Sequence, residues 1–274
     1  MANGGIIGTV NNPTSTTATG VWQQEEQYEA VRDGTWPERA LFTTKSLRFN
    51  SGSSDSLNRT TETPTNADKA TFSFWVKRSK LGTNQSMLSE RADGNNLTNI
   101  YFNSDDKLEI YSYNSGTEYI FLRTVRLFRD VSAWYHIMYS FDTSQGTSTN
   151  RVKLYINGVQ ETSFSGGGNV YPNQNQNLRF NESGHTLRIG NLNSDQYPDF
   201  YLAETIFIDG QALAPTSFGS TNSDGVWTPI IYTGTYGNNG FNLQFENAAA
   251  LGTDSSPNGN TFTVNNLTSI DQST

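Results

Sequence analysis

Read as apolar and polar positions, most of this chain alternates with a period of two. At 72–77, FSFWVK puts Phe72, Phe74 and Val76 on one side. At 134–142, WYHIMYSFD does the same with Tyr135, Ile137, Tyr139 and Phe141. The alternation continues through Val152, Leu154 and Ile156, then Leu187 and Ile189, then Leu202, Ile206 and Ile208, and finally Phe241, Leu243 and Phe245. Successive strand side chains point to opposite faces, so this spacing predicts half-buried strands. Asn157-Gly158, directly after Ile156, is the pair that closes a two-residue hairpin. Loops rich in Gly, Asn, Asp and Ser separate the strands, and no long helical period follows residue 45. The expectation is an all-β, antiparallel two-sheet jelly-roll sandwich. The glycine- and amide-rich loop 165–177 is expected to move unless a partner orders it. The polar tail 248–274 holds Phe262, Val264 and Leu267, enough for one more edge strand.

Residues 1–44 break the pattern. The stretch 11–20 is dominated by Thr, Ser, Asn and Pro and cannot bury enough apolar surface to fold alone. A short helical possibility at 21–32 stops at Asp33-Gly34. This predicts an extended N-terminal arm over 1–44 and a sandwich over 45–274 that includes the C-terminal strand segment. Ile6, Ile7, Trp22, Tyr28 and Trp36 are the arm's candidate partner-binding residues. Trp22 and Trp36 either pack on the arm's own domain or anchor it to another subunit, since Trp carries large contact area.

Composition narrows the function. With no cysteine, neither a disulfide framework nor thiolate chemistry is available. The 26 acidic residues outnumber 18 scattered basic ones, which disfavours nucleic acid and anionic membrane surfaces as partners. No apolar stretch approaches the roughly 20 residues of a membrane helix, so no membrane insertion is expected. Residues 1–19 lack both the basic start and the apolar run of an export signal.

The ordered strand texts FSFWVK (72–77), WYHIMYSFD (134–142), KLYINGVQ (153–160), LRIGN (187–191) and YLAETIFIDGQAL (201–213) resemble the laminin-G/concanavalin A-like superfamily. A further likeness is to structural proteins of tailed bacteriophages, particularly marine and cyanobacterial ones. It is carried by NGGIIGTVN (3–11), GVW…EQYEAV.DGTWP (20–37), FIDGQALAP (207–215) and the segment 241–272. Pro257 stands there where glycine is usual, which excludes a left-handed backbone at that position. The resemblance implies a non-enzymatic virion protein: a capsid decoration, a fibre or a tail-associated subunit. Its arm would anchor it to other virion proteins, as a homo-oligomer on the outer surface, after assembly in the bacterial cytoplasm.

Catalysis finds no support in the spacing. Glycoside hydrolysis, the chemistry of sandwich glucanases, needs two carboxylates facing one substrate. The best pair, Glu204 and Asp209, is five apart and is therefore expected on opposite faces. Glu109 stands alone in LEIY, His136 reads as a packed strand residue and His185 as a solvated loop residue. No cofactor is required. Calcium is the one metal to consider, because related folds hold it at a rim. Asp93, Asp105, Asp106, Asp195 and Asp199 are the candidate oxygen donors, with ordinary turn chemistry as the alternative. For a host-surface glycan, the candidates are Tyr111, Tyr113, Asn114, Tyr171 and Tyr197. These aromatics lie near amides, and each has the plainer alternative of packing with its hydroxyl in water.

Overall fold

The computed structural model describes residues 45–165 and 168–273, and the arm residues Ile6, Ile7, Trp22, Tyr28 and Trp36 lie outside them. In chain order the first strands are β1 (Ser46–Phe49), β2 (Ser56–Thr60), β3 (Lys69–Arg78), β4 (Gln85–Arg91), β5 (Leu97–Phe102) and β6 (Lys107–Asn114). Then come β7 (Thr117–Leu127), β8 (Tyr135–Asp142), β9 (Val152–Ile156), β10 (Val159–Glu161), β11 (Thr186–Ile189) and β12 (Phe200–Asp209). The last are β13 (Gly219–Thr221), β14 (Trp227–Pro229), β15 (Phe241–Leu243), β16 (Thr263–Asn265) and β17 (Gln272–Ser273). The helices among the described residues are single 3₁₀ turns.

Two antiparallel sheets form the sandwich. The eight-stranded sheet runs β10-β9-β8-β3-β12-β1-β17, with β15 also paired to β12. The seven-stranded sheet runs β16-β2-β11-β4-β5-β6-β7. Phe72, Phe74, Val76, Ile137, Tyr139 and Phe141 from the first meet Leu88, Ile100, Phe102, Ile110, Ile120 and Leu122 from the second in one buried core. Each such aromatic or aliphatic side chain contributes about 1.5–3 kcal/mol on leaving water. The Asn157-Gly158 turn forms as expected. Both residues have positive φ (49° and 79°), and Val159 pairs with Ile156. A Cβ on Gly158 would also lie 2.5 Å from the Trp227 ring, so glycine is required there twice over.

Three expectations change. First, the tail supplies an edge to each sheet instead of one strand: β16 pairs β2, and β17 pairs β1. Second, the described part of the 165–177 loop is tied down. The Val170 amide donates to the Phe121 carbonyl, and that of Asn175 to the Thr143 carbonyl, both at 2.9 Å. Third, β12 carries a bulge. Glu204 adopts a left-handed φ of 43°, and the register against β3 slips between Ala203 and Ile206. Before the bulge β12 pairs β1, and after it β15. The extra residue inverts the parity of all that follows. Leu202 and Phe207 face the main core, whereas Ile206 and Ile208 point to the opposite face and pack with Met138, Phe218 and Tyr236. The odd-spacing argument about Glu204 and Asp209 therefore does not hold.

His136 also lies on that opposite face and is fully buried, as its strand position implied. The Trp227 indole donates to its Nδ1 at 3.0 Å, and Nε2 lies 2.9 Å from Ser73 Oγ. An indole N–H only donates, so Nδ1 accepts and the ring proton sits on Nε2, facing Ser73. Desolvation pushes the imidazole pKa down to about 3. The unfolded chain protonates this residue near its ordinary value of 6.5 while the folded state does not. Stability from His136 is therefore full above pH 6.5 and is lost as pH falls toward 3, by up to about 1.4 kcal/mol per pH unit. Thermal melts of wild type and His136→Gln across that window should show a steeper acid decline for wild type. Equal slopes would contradict this account of the site.

Candidate functional site

The outer face of the seven-stranded sheet gathers the most chemistry. Alternation sends Ile100, Phe102, Leu108 and Ile110 into the core, so Asn99 and Tyr101 of β5 and Glu109, Tyr111 and Tyr113 of β6 face outward. Register then sets the neighbours: Asn99 opposes Tyr111, Tyr101 opposes Glu109, and Arg123 of β7 opposes Glu109 from the other side. The three rings form a ladder. Tyr101 and Tyr111 meet edge-on at 5.4 Å between centroids, and Tyr111 and Tyr113 at 5.9 Å.

Polar bonds hold the rings in place. Tyr101 Oη donates to Glu109 Oε1 at 2.5 Å, and Arg123 Nε and Asn103 Nδ2 donate to Glu109 Oε2. Tyr113 Oη donates to Glu118 Oε1 at 2.7 Å. This bond, with burial second, pushes the Tyr113 phenol up to about 12. Burial and then the Glu109 hydrogen bond carry Tyr101 well above the usual tyrosine range. Both rings thus stay neutral at physiological pH and are fixed before any ligand arrives, which lowers the entropy cost of binding. Asn99 Nδ2 reaches Gln196 Oε1 at 3.0 Å and Tyr111 Oη at 3.4 Å, linking the ladder to the loop 191–197.

Of the tyrosines singled out from sequence, Tyr111 and Tyr113 come together here, and Asn114 follows them, exposed at the end of β6. Tyr197 lies in the loop beside Gln196 and lines a polar cleft with Asn58 and Arg188. Tyr171 is elsewhere. It packs on the main core and lines a small cleft of about 190 Å³ with Gln160, Glu161 and Phe164. Sequence reading missed Tyr101 and Asn99, and it took Glu109 as solitary. The available signal was the outward parity of LTNIYF, with Asn99 and Tyr101 at the positions alternate to Ile100 and Phe102.

The acidic candidates for calcium are dispersed. Asp93 accepts from the Asn95 amide and from Asn96 Nδ2 within its own turn. The Asp105 backbone is held by Asn103 Oδ1, and Asp195 accepts from the Gln196 amide. Asp106 is neutralised by Arg78 and Arg129, and Asp199 by Lys80 together with Ser51. Among the described residues no three His, Asp or Glu side chains converge, so these five do not form the six- to eight-oxygen shell of calcium.

The buried carboxylates are likewise engaged. Asp209, only 1% exposed, accepts from Asn181 Nδ2 and from the Thr65 and Asn239 amides. Glu90 meets Arg179 Nε at 2.8 Å, yet desolvation outweighs that cation and pushes its pKa up to about 7. His185 is not the solvated loop residue expected. Its Nδ1 lies 3.4 Å from Glu90 Oε1, and its Nε2 lies 3.6 Å from Glu182 Oε2.

Two stacked antiparallel sheets with an aromatic outer face define a lectin-type sandwich. The laminin-G-type model of the concanavalin A-like lectin/glucanases superfamily matches residues 50–207, more than half of the chain, and the chain belongs to that superfamily. Solved structures similar to it include a SAP-like pentraxin from Limulus polyphemus. That match has 16% identity, covers 63% of this chain and 78% of that one, and has a TM-score of 0.44. Domains LG4-5 of the mouse laminin alpha1 chain match at 8% identity, covering 71% of this chain and 46% of that one, with a TM-score of 0.43. The CBM40 of Ruminococcus gnavus IT-sialidase, bound to sialyllactose, matches at 14% identity over 55% of this chain and 80% of that one, with a TM-score of 0.38. No curated protein matches the sequence.

Proposed function

We propose that this protein is a non-enzymatic carbohydrate-binding sandwich displayed on the virion of a tailed bacteriophage, with residues 1–44 as its anchor. The observation that carries the binding reading is the ladder on the sheet's outer face, where half-buried Tyr111 and Tyr113 reach solvent and buried Tyr101, Asn99 and Glu109 hold them in place. Fixed aromatic faces cover the apolar side of a sugar ring, and the exposed Asn114 amide beside them bonds its hydroxyls. The non-enzymatic part is supported by the engagement of Glu109 and Asp209 with their own donors. The virion part is supported by the phage-like texts at 3–11, 20–37, 207–215 and 241–272.

One experiment joins these parts. A glycan array probed with the purified protein should return a ligand that is bound and left uncleaved. The same ligand, immobilised, should capture phage particles carrying the wild-type chain. Tyr113→Ala should lower affinity about tenfold or more while leaving the melting temperature nearly unchanged, because this half-exposed ring serves contact more than packing. No bound glycan, cleavage of the glycan, unaltered affinity in Tyr113→Ala, or particles lacking the chain would each defeat the part it addresses.

A further inference from the structure

Beyond the loop 191–197, the same sheet face holds a second concavity of about 570 Å³. Asn58 of β2, Arg188 of β11 and Asn265 of β16 line it from the sheet, and Asn191, Asn193 and Tyr197 from the loop. Serines, Val264 and Asn266 complete the wall, and no carboxylate contributes to it. Arg188 is half-buried and donates to the Thr186 carbonyl at 3.1 Å. It is not one of the cations that pair with a carboxylate within 4.0 Å among the described residues. The acidic group that influences it is Glu90, which is itself engaged by Arg179.

A second observation concerns how the cleft's loop is built. Asn191 is only 7% exposed, and its Oδ1 has no hydrogen-bond partner. Its backbone carbonyl is meanwhile doubly bonded, by Ser86 Oγ at 3.1 Å and Ser89 Oγ at 2.6 Å. A buried amide oxygen left unsatisfied costs about 1–3 kcal/mol, so this segment is held against a local penalty. The loop is also held in a costly form, with left-handed φ at Asn193, Ser194 and Gln196.

We infer that this cleft is a separate site for an acidic saccharide, an inference that rests on the carbohydrate-binding reading of the domain. Arg188 takes the carboxylate or sulfate, since a guanidinium fork matches planar or tetrahedral oxyanions and no carboxylate among the described residues pairs with it within 4.0 Å. Asn58 and Asn265 bond the hydroxyls, and Tyr197 covers the ring's apolar face. Neutral sugars leave the Arg188 charge unmatched and are disfavoured.

Titration of the full chain with oligogalacturonate, dextran sulfate and neutral dextran of matched length tests this. At least one acidic probe should bind, at least tenfold more tightly than dextran, with affinity falling as salt rises. Which of the two binds identifies the acid as carboxylate or sulfate. Arg188→Gln should weaken that probe tenfold or more. Asn193→Asp should do the same by placing a carboxylate at the exposed rim, in a backbone conformation that Asp tolerates. This second variant guards against a folding defect at position 188, and Tyr113→Ala should leave acidic binding intact. The inference is overturned if neither acidic probe binds, if dextran binds equally, or if Asn193→Asp changes nothing. Acidic binding lost in Tyr113→Ala alone would also overturn it, moving the ligand to the ladder and leaving the carbohydrate reading in force.

Discussion

Asp106→Asn is expected to destabilise the sandwich by about 3–5 kcal/mol, the range for removing one partner of a buried ion pair. Arg78, at the end of β3, is fully buried. Its Nη1 donates to Asp106 Oδ1 at 3.1 Å and to the Phe128 carbonyl at 2.8 Å, and its guanidinium lies 4.5 Å from the Phe102 centroid. One side chain of the eight-stranded sheet thus binds the β5–β6 turn and the end of β7 in the other sheet. Without the Asp106 charge, that guanidinium is left in the core with carbonyl and ring contacts alone. Asparagine tolerates the left-handed φ of 65° at position 106, so backbone strain does not confuse the result. Arg78→Met should cost less, because Asp106 keeps Arg129 at 3.0 Å and the Gly82 amide at 2.8 Å. The double variant should cost less than the sum of the two singles. Denaturant titrations give all three values, and a loss under about 1 kcal/mol for Asp106→Asn would refute the interlayer role.

The second large effect separates structure from catalysis. Asp209→Ala removes the acceptor for three donors: Asn181 Nδ2 at 2.7 Å, the Thr65 amide at 2.8 Å and the Asn239 amide at 3.1 Å. Orphaning buried donors costs about 1–3 kcal/mol each, so a total loss of about 3–5 kcal/mol is expected. The surroundings cannot collapse to compensate. Backbone packs tightly there, and a Cβ on Gly237 would lie 2.1 Å from the Asp209 carbonyl oxygen. A hydrolytic Asp209 would behave otherwise, losing turnover while stability held. A denaturation midpoint unchanged in Asp209→Ala would sink the structural assignment.

These two residues also show how far sequence reading reaches. Alternation in β3, β8 and β9 exposed the core, because a strand buried on one face must repeat every second residue. Asn157-Gly158 announced its hairpin because so few residue pairs accept positive φ twice. The bulge at Glu204 was hidden. Nothing in YLAETIFID marks the extra residue, which arises because β12 changes neighbour from β1 to β15 in mid-strand. Local text likewise signalled Tyr111 and Tyr113, two apart on one strand. Tyr101, Asn99 and Arg123 join them only through cross-strand register, and that register depends on how distant segments pair. His185 appeared solvated for the same reason, since Glu90 is remote in sequence. The calcium candidates show the converse: acidic loop residues look alike in sequence, and the fold ties Asp93, Asp106, Asp195 and Asp199 to separate partners.

The carbohydrate-binding claim is tested most directly by mapping the ligand onto the protein. Amide NMR spectra of the full chain, recorded while titrating the glycan returned by the array, report contact residue by residue. The account predicts saturable shifts at Asn99, Tyr101, Glu109, Tyr111 and Tyr113, with the opposite face at Ile206 and Ile208 unmoved. Saturable shifts confined to residues off the seven-stranded sheet's outer face would contradict it.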